Sequence, residues 1–586
     1  MQYPKLTELN TNRQIVDTFR GYNHNMRISS GEFFDMKNMT SDYYPILASR
    51  GQRGLYASPA ATSGIIAKDA LCYVDGGNFM IGQDTVVALG LSTNEADCPK
   101  QLISMGAYVI ILPDKKYVNT LDHSDAGDIE ASVTTTADVQ FELCTITGES
   151  YTDTKVSATA PAEPKNMDLW IDTSSEPHTL KRYSSTSEMW VSIATTYVKI
   201  SSAGIGKGFK QYDGVTISGI TDPALQSLNG TMTLWGSGDD YIVVVGILDK
   251  VTTQSVSDGA ITIERKMPIM DFVIESGNRL WGCRYGLADN GEMVNEIYAS
   301  KLGDFKNWDC FMSLSTDSYR ASCGTDGPFT GAITHLGYPL FFKENCVHKV
   351  YGNYPANYQI QDTSCRGVQL GSHRSLAIVN ETLFYKSRSA VCAYDGSLPT
   401  EVSYALGNEQ YSDAVAGSNG NKYYISMKDA TGKWHLFVYD VAKTMWHRED
   451  DFRADCFCSC FGELYAIEHD TKKIITMLGS GTQDRDKVKW MVQTGIIGTD
   501  MPEMKSVSRI TIRMSLAHGA KVRFMVQYDS MGGWDHFCTT TGTNLRSFSI
   551  PIRPRRCDHL RLRIEGEGEA RIYSITKTIE QGSEIS

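Results

Sequence analysis

The sequence predicts an all-β protein built around a β-propeller of about seven blades. The chain has 51 Gly and 30 Tyr against only 17 Pro, a composition typical of tight turns between aromatic-rich strands. Strand-turn-strand units also recur, and the later ones are spaced by roughly 40 to 55 residues, the length of a four-stranded propeller blade. A pair of stacked β-sandwiches would also give short strands between turns, and it remains the alternative fold.

The length of 586 residues predicts three to four domains at about 150 residues each. Hydrophobic residues make up 41% and charged residues 21%, which favours globular domains over disorder or a coiled coil. The predicted organisation is an extended N-terminal lead-in and assembly segment at 1–60, first blades at 61–128, an inserted β domain at 129–265, remaining blades at 266–485 and a C-terminal β-sandwich or jelly roll at 500–586.

The lead-in mixes aromatic residues, Asn, Gly and Arg without helical or strand periodicity. We therefore expect an extended segment that other elements hold in place. Phe33, Phe34, Tyr43 and Tyr44 are too many exposed aromatic residues for a free tail, and large apolar patches usually mark partner surfaces. These four residues are candidate assembly contacts.

The repeating unit is an alternating apolar strand, a Gly- or Asn-centred turn and a second strand. The units begin near Ile65, Gln101, Phe272, Gly331, Leu376, Ala414 and Asp455. About seven blades are therefore predicted.

The segment 129–265 interrupts these units and reads as a separate small β domain in a blade loop, where insertions are best tolerated. Its hairpin has Trp170 and Trp190 at its two ends. Their rings are candidate platforms for stacking on a sugar, and the other interpretation is that both form the small core of this domain.

The C-terminal strands alternate apolar residues with Arg or Lys, as a half-buried antiparallel sheet requires. From Asp500 onward there are 13 basic and 10 acidic residues, whereas the preceding part has 43 and 58, a balance of -15. Arg553, Arg555 and Arg556 are candidate assembly contacts that would face an acidic protein partner, and a collar that grips DNA is the alternative. The net charge of -12 argues against a whole surface that binds nucleic acid or an anionic membrane.

Motifs for nucleotide and metal chemistry are weak. The stretch 204–208 (GIGKG) lacks the second Gly spacing and the Ser or Thr that a phosphate-binding loop needs. Cys456, Cys458 and Cys460 alternate along a strand, while structural zinc sites use two-residue spacing within each ligand pair. We expect no cofactor and no metal, and we interpret the 14 scattered Cys as reduced thiols.

The candidates for a propeller hydrolase are adjacent acids, namely Asp239 with Asp240 and Glu449 with Asp450 and Asp451. Glycoside hydrolysis needs two carboxylates that face each other across a sugar, and neighbours on a strand face opposite sides. We therefore expect no catalytic residues and no enzymatic activity. The N-terminal residues lack an apolar signal region, so folding in a reducing cytoplasm without a membrane partner is expected.

Three stretches carry a family resemblance. The lead-in holds DMKNMTSDYYPIL at 35–47, followed by Arg50 and Arg53. The middle holds NEIYAS at 295–300 and later CRG and YDG turns, and the C-terminal part holds PIRPRRCDH at 551–559. These motifs resemble the packaged-DNA stabilisation, or tail nozzle, β-propeller proteins of short-tailed phages.

This resemblance implies a virion structural protein without catalytic residues, made in the bacterial host cytoplasm and located in the tail. It implies a homo-oligomeric ring, expected to be a hexamer, below the portal and head-tail adaptor, with other tail proteins such as fibres or a needle as further partners. Genomic DNA would pass through the channel without tight binding. A tail-borne carbohydrate- or host-receptor-binding protein is the alternative function, and a propeller hydrolase is a third.

Overall fold

The computed structural model describes residues 11–288, 290–483, 487–501, 504–552 and 555–581. Its regular structure is almost entirely strand, so the all-β class is confirmed. The helical elements of this described part are six short 3-10 turns at Glu95–Asp97, Pro223–Leu228, Val256–Asp258, Pro355–Asn357, His373–Ser375 and Tyr404–Leu406. Within these described ranges, no helix has the length and apolar character needed to cross a membrane.

From residue 11, where the described part begins, the lead-in forms six strands, and all but the fourth of them pair with distant parts of the chain. They are β1 (Thr11–Val16), β2 (Gly21–Tyr22), β3 (Glu32–Lys37), β4 (Met39–Thr40), β5 (Leu47–Ser49) and β6 (Gly54–Ala57). Gly21 has a φ of +81°, and a Cβ there would lie 2.3 Å from the backbone oxygen of Trp446. Only glycine allows this close approach between β2 and the strand beside it.

Two four-stranded antiparallel sheets follow. The first contains β7 (Thr62–Ala67), β8 (Leu71–Asp75), β9 (Asn78–Ile81) and β10 (Thr85–Ala88), and the second contains β11 (Gln101–Met105), β12 (Tyr108–Leu112), β13 (Lys116–Asn119) and β14 (Ala126–Asp128). The middle strands β8 and β12 are buried along most of their length, which is why they read as continuous apolar runs.

The insert follows as thirteen strands in three sheets: β15 (Ala131–Thr134), β16 (Val139–Cys144), β17 (Lys155–Ser157), β18 (Leu169–Asp172), β19 (Thr179–Ser184), β20 (Met189–Ser192), β21 (Tyr197–Ser201), β22 (Gly214–Ser218), β23 (Gly230–Thr233), β24 (Gly236–Gly238), β25 (Tyr241–Val245), β26 (Thr252–Gln254) and β27 (Thr262–Arg265). Ala131 in β15 pairs with Arg265 in β27. The two ends of the insert therefore lie side by side.

Five more sheets continue the pattern of the first two. Their strands are β28 (Phe272–Ser276), β29 (Arg279–Leu287), β30 (Met293–Ala299) and β31 (Tyr319–Ser322); β32 (Gly331–His335), β33 (Tyr338–Lys343), β34 (Cys346–Tyr351) and β35 (Gln359–Ser364); β36 (Ala377–Val379), β37 (Thr382–Lys386), β38 (Val391–Tyr394) and β39 (Thr400–Glu401); β40 (Tyr411–Ser418), β41 (Lys422–Asp429), β42 (Trp434–Asp440) and β43 (Met445–Arg448); and β44 (Ala454–Cys460), β45 (Glu463–Glu468), β46 (Ile474–Thr476) and β47 (Thr482–Gln483).

The last of these sheets, β44 to β47, is the seventh outside the insert, and a strand from the lead-in completes it. The lead-in strand β6 pairs with β46, with Gly54 opposite Thr476 and Ala57 opposite Ile474. A Cβ at position 54 would lie 1.8 Å from the backbone oxygen of Ser480, so glycine is required there.

Apart from the three sheets of the insert there are seven sheets, and their first strands contact one another in order except between β32 and β36, where the turn His373–Ser375 intervenes. β7 contacts β11, β11 contacts β28, and β28 contacts β32. The turn His373–Ser375 contacts β32 and β40, β36 contacts β40, β40 contacts β44, and β44 contacts β7.

The C-terminal part contains β48 (Lys489–Thr494), β49 (Lys505–Tyr528), β50 (Asp535–Ile550), β51 (Leu560–Glu567) and β52 (Ala570–Gln581). β49 alternates buried and exposed residues as a one-sided sheet requires. This sheet is continuous with the sixth sheet, in the order β4-β5-β52-β49-β51-β48-β3-β2-β43-β42-β41-β40. The lead-in strands β2 and β3 join the two, and the largest hydrophobic core runs through the junction.

Candidate functional site: the junction of the lead-in with the C-terminal strands

The predicted assembly aromatics lie where the lead-in meets the C-terminal strands, but they differ in exposure. Phe33 is 2% exposed and packs against Phe19 with ring centroids 5.9 Å apart. It is therefore a core residue, and the expectation that it is an exposed contact is wrong. Its strand β3 lies inside the sheet between β2 and β48, and the face that carries Phe33 packs into the largest hydrophobic core.

Phe34 is half-buried between charged and aromatic neighbours. Its ring stacks on His24 at 4.3 Å, and the guanidinium of Arg561 lies over it at 5.2 Å. The backbone oxygen of Phe34 also lies 2.8 Å from His24 Nδ1. The C-terminal arginines therefore meet the lead-in within one chain, through a cation–π contact.

Tyr43 and Tyr44 are the exposed pair, each with 43% of its surface accessible. The guanidinium of Arg571 lies 4.1 Å from the Tyr43 ring centroid and donates a hydrogen bond to its hydroxyl at 3.1 Å. Arg571 also pairs with Glu569 at 2.9 Å. An exposed aromatic surface thus exists in the lead-in, with a cation held over it.

The predicted arginines lie on the C-terminal side. Arg555 and Arg556 are both exposed, and the Arg555 guanidinium lies 5.3 Å from the Tyr528 ring centroid. Arg553 lies outside the described residues.

A buried ion cluster joins the lead-in to the residues that follow β43, the last strand of the sixth sheet (β40 to β43). Arg53 Nη2 lies 2.7 Å from Glu449 Oε2, and Arg53 Nη1 lies 2.9 Å from Asp450 Oδ2. Arg50 Nη2 adds a contact to Asp450 Oδ2 at 3.2 Å. Burial opposes ionisation of Asp450, but the charges of Arg53 and Arg50 outweigh it and hold the pKa of this carboxyl below its usual value.

Asn38 connects this cluster to the C-terminal sheet. Its side chain accepts a hydrogen bond from Arg50 Nε at 2.8 Å and donates one to the backbone oxygen of Lys489 at 2.8 Å. Glu449 and Asp450 were candidate hydrolase acids at the sequence level, and the structure engages both with arginines. The Arg-x-x-Arg spacing was the one sequence signal for this cluster, and its partners lie almost 400 residues away.

The two tryptophans of the insert pack on each other. Trp170 is 5% exposed, donates its Nε1–H to the backbone oxygen of Ser157 at 2.9 Å and lies 5.4 Å from Trp190 in an edge-on arrangement. Trp190 is half-buried and also contacts Tyr183. The Trp170 ring is thus covered by the protein itself, and only Trp190 offers part of a ring to solvent.

A cavity of about 630 Å³ lies where the first strands of the sheets converge. It is lined by residues of six of the seven first strands and by the turn at 373–375, and its polar groups include Lys100, His373 and Arg374. Lys100 is paired with Asp114 at 2.6 Å, and Arg374 donates to the backbone oxygen of Pro99 at 2.5 Å. Burial, aided by the charge of Arg374, lowers the pKa of His373 to about 4.

Two further acidic residues, Asp429 and the candidate acid Asp240, have structural partners. Asp429 accepts hydrogen bonds from the backbone N–H groups of Thr431 and Lys433 and pairs with His435 at 2.7 Å, so it caps a turn. Asp240 accepts a hydrogen bond from the backbone N–H of Gly204 at 2.7 Å. In the parts of the chain that the structure describes, no group of three or more His, Cys, Asp or Glu side chains could hold a metal ion.

No protein-family model and no curated protein matches this chain. Among solved structures it is similar to an exo-β-1,3-galactanase from Phanerochaete chrysosporium bound to galactose, at 9% identity and a TM-score of 0.22 over 52% of this chain and 94% of that one. An engineered GH43 glycoside hydrolase with endo-xylanase and exo-arabinofuranosidase activity matches at 8% identity and 0.20, over 53% and 96%. The extracellular domain of a protein described as a one-component system of B. thetaiotaomicron matches at 8% identity and 0.14, over 92% and 98%.

These matches correct one expectation. The prediction that the chain is not an enzyme is wrong by this comparison, because the solved structures similar to it include glycoside hydrolases. The exclusion of enzymatic activity is therefore withdrawn.

Proposed function

We propose that this protein is a structural component of a bacteriophage tail that forms a ring around the DNA exit channel, below the portal and adaptor, and retains and conducts the genome. The observation that carries the proposal is the path of the lead-in. It completes the seventh sheet through β6 and joins the sixth sheet to the C-terminal sheet through β2 and β3. One chain thus makes a continuous body in which the first and the last described strands, β1 and β52, pair with each other.

The central part of this body is proposed to be a closed propeller of seven blades. The cyclic order of contacts among the first strands supports closure. The seventh sheet supports it too, because pairing a strand from before the first blade with strands of the last one joins the two ends of the ring. A closed propeller suits the wall of a DNA channel, because it has no free sheet at which the ring of blades could open under the pressure of packaged DNA.

The negative charge of the chain before residue 500 supports a channel through which DNA passes. A balance of -15 before residue 500 disfavours tight binding of phosphates, since each phosphate that a cation neutralises adds free energy of counterion release. The genome would therefore slide through with little retention by the wall. The proposed partners are further copies of the chain in a hexameric ring, portal and adaptor proteins, and tail fibres or a needle.

Negative-stain imaging tests the proposal. The purified full chain, alone and mixed with the portal and adaptor proteins encoded in the same genome, should form rings with a central channel. Mass spectrometry of purified particles should find the chain in the virion. Failure to form rings with the adaptor, together with absence from particles, would refute the proposal, and glycan binding without rings would favour the receptor-binding alternative.

A further inference from the structure

Strand β50 is a long open edge. It contains 16 residues, about 50 Å of extended chain, and among the described strands it pairs with β49 alone. Natural edge strands are usually kept short or blunted with Pro and Lys, because their unpaired backbone groups are templates for another chain. β50 has neither Pro nor Lys and is rich in Thr, a good strand former.

Strand β1 is the matching edge at the other side of the same sheet. It pairs with β52 from Ile575 to Glu580, and it has no second partner among the strands that the structure describes. The local order is β1-β52-β49-β50, with every adjacent pair antiparallel. β1 therefore runs antiparallel to β50.

Both edges present an apolar side chain to solvent. Ile15 in β1 is 59% exposed, and Leu545 in β50 is 46% exposed. Cross-strand apolar pairs are a main source of stability between neighbouring strands, and each of these side chains leaves about half of its surface for such a pair.

We infer that β1 of one copy of this chain pairs antiparallel with β50 of the next copy, and that Ile15 and Leu545 contribute apolar contacts at that seam. This inference rests on the proposed ring and names the surfaces that join its subunits. The two surfaces differ, so the contact is head-to-tail, and repeating it produces a ring when the rotation closes. Antiparallel backbone pairing supplies the affinity, and the side chains set the register.

Charge substitution with rescue tests the inference. Sedimentation velocity of the full chain over a range of concentrations measures association for the wild type, Ile15→Lys, Leu545→Lys and the control Val86→Lys, which changes a residue that is 56% exposed in the edge strand β10. Ile15→Lys and Leu545→Lys should each weaken association at least tenfold, and Val86→Lys should leave it unchanged. Combining Ile15→Lys with Leu545→Glu should restore association to within a few fold.

Cross-linking gives a second readout that does not depend on affinity. A mixture of Ile15→Cys and Leu545→Cys proteins should form an intermolecular disulfide under mild oxidation, and a mixture of Ile15→Cys and Val86→Cys proteins should not. Thermal unfolding of each variant verifies that the monomer is intact, as expected for exposed positions.

The outcomes separate the two proposals. If the wild type forms rings and the two Lys variants associate equally well, the edge pairing is overturned while the ring proposal stands. If the wild type stays monomeric at all concentrations, the edge pairing is also overturned, and imaging with the adaptor then decides the ring proposal by itself.

Discussion

Replacing Arg53 with Met should strongly destabilise the junction between the lead-in and the sixth sheet. The guanidinium holds two carboxylates, Glu449 at 2.7 Å and Asp450 at 2.9 Å, and the three side chains are only 12%, 9% and 21% exposed. Methionine preserves much of the apolar stem of Arg53, but it removes the charge and with it the cation–π contact of the guanidinium with the Phe452 ring at 4.7 Å.

The expected loss is about 3 kcal/mol. Removing one partner of a buried ion pair costs about 3–5 kcal/mol, because the remaining charge stays buried without compensation. Arg50 still lies 3.2 Å from Asp450 and 3.5 Å from Glu449, so the low end of that range applies. The urea dependence of small proteins is about 1–3 kcal/mol per molar and increases with size, so for this chain of 586 residues the unfolding midpoint should fall by at most about 1 M.

Tryptophan fluorescence during urea unfolding measures this loss, since Trp446 and Trp490 are buried on either side of the lead-in. The matched control is Arg366→Met, which breaks an ion pair with Glu401 whose side chains are 54% and 43% exposed. Exposed pairs contribute about 0–1 kcal/mol, so the control should shift little. Adding Glu449→Gln and Asp450→Asn to Arg53→Met should recover part of the loss.

The acid dependence gives a further check. In the wild type the pKa of Asp450 lies below its usual value, so its contribution is complete above about pH 4 and is lost as the pH falls through the folded-state pKa. Without Arg53, burial should raise the pKa of Asp450, and the variant should then lose less stability than the wild type on acidification. Equal midpoints for Arg53→Met and Arg366→Met would refute this account of the junction.

Three other predictions follow from the structure. Burial lowers the pKa of His447 to about 3, and burial together with the charge of Lys343 lowers the pKa of His348 to about 4. The free energy of unfolding should therefore fall as the pH drops below about 6.5, by about 1.4 kcal/mol per pH unit for each histidine. His447→Gln should flatten this slope in acid melting curves. Replacing the insert with a Gly-Ser linker should leave one cooperative transition but lower the melting temperature, because Asp213 and Gly214 hydrogen-bond at 2.9 and 3.0 Å to Asn307, which lies in the loop between β30 and β31. Aggregation of the shortened chain would contradict this. Fluorescence anisotropy should find duplex DNA bound no tighter than about 10⁻⁴ M at about 0.15 M salt, and micromolar binding that disappears with Arg555→Ala and Arg556→Ala would replace the conduit with a collar that grips DNA.

Local patterns in the sequence were sufficient to predict the strands and which of their faces are buried. Alternating residues in β49 and continuous apolar runs in β8 and β12 report burial on one face or on both, because side chains on a strand have a period of two. The change in composition over 129–265 likewise indicates a separate inserted domain, and the two ends of this insert meet where Ala131 pairs with Arg265. These features depend on neighbours in the sequence, so they can be read without a structure.

The partners of the lead-in were decided only by the tertiary structure. Periodicity tells which face of a strand is buried, but it does not tell which of many similar edges lies beside it. β6 joins the seventh sheet and Arg53 reaches Asp450 across almost 400 residues, and no local pattern specifies such pairings. The same lack of information placed Phe33 on the surface at the sequence level, whereas the face of β3 that carries it packs into the core shared by the lead-in and the C-terminal strands.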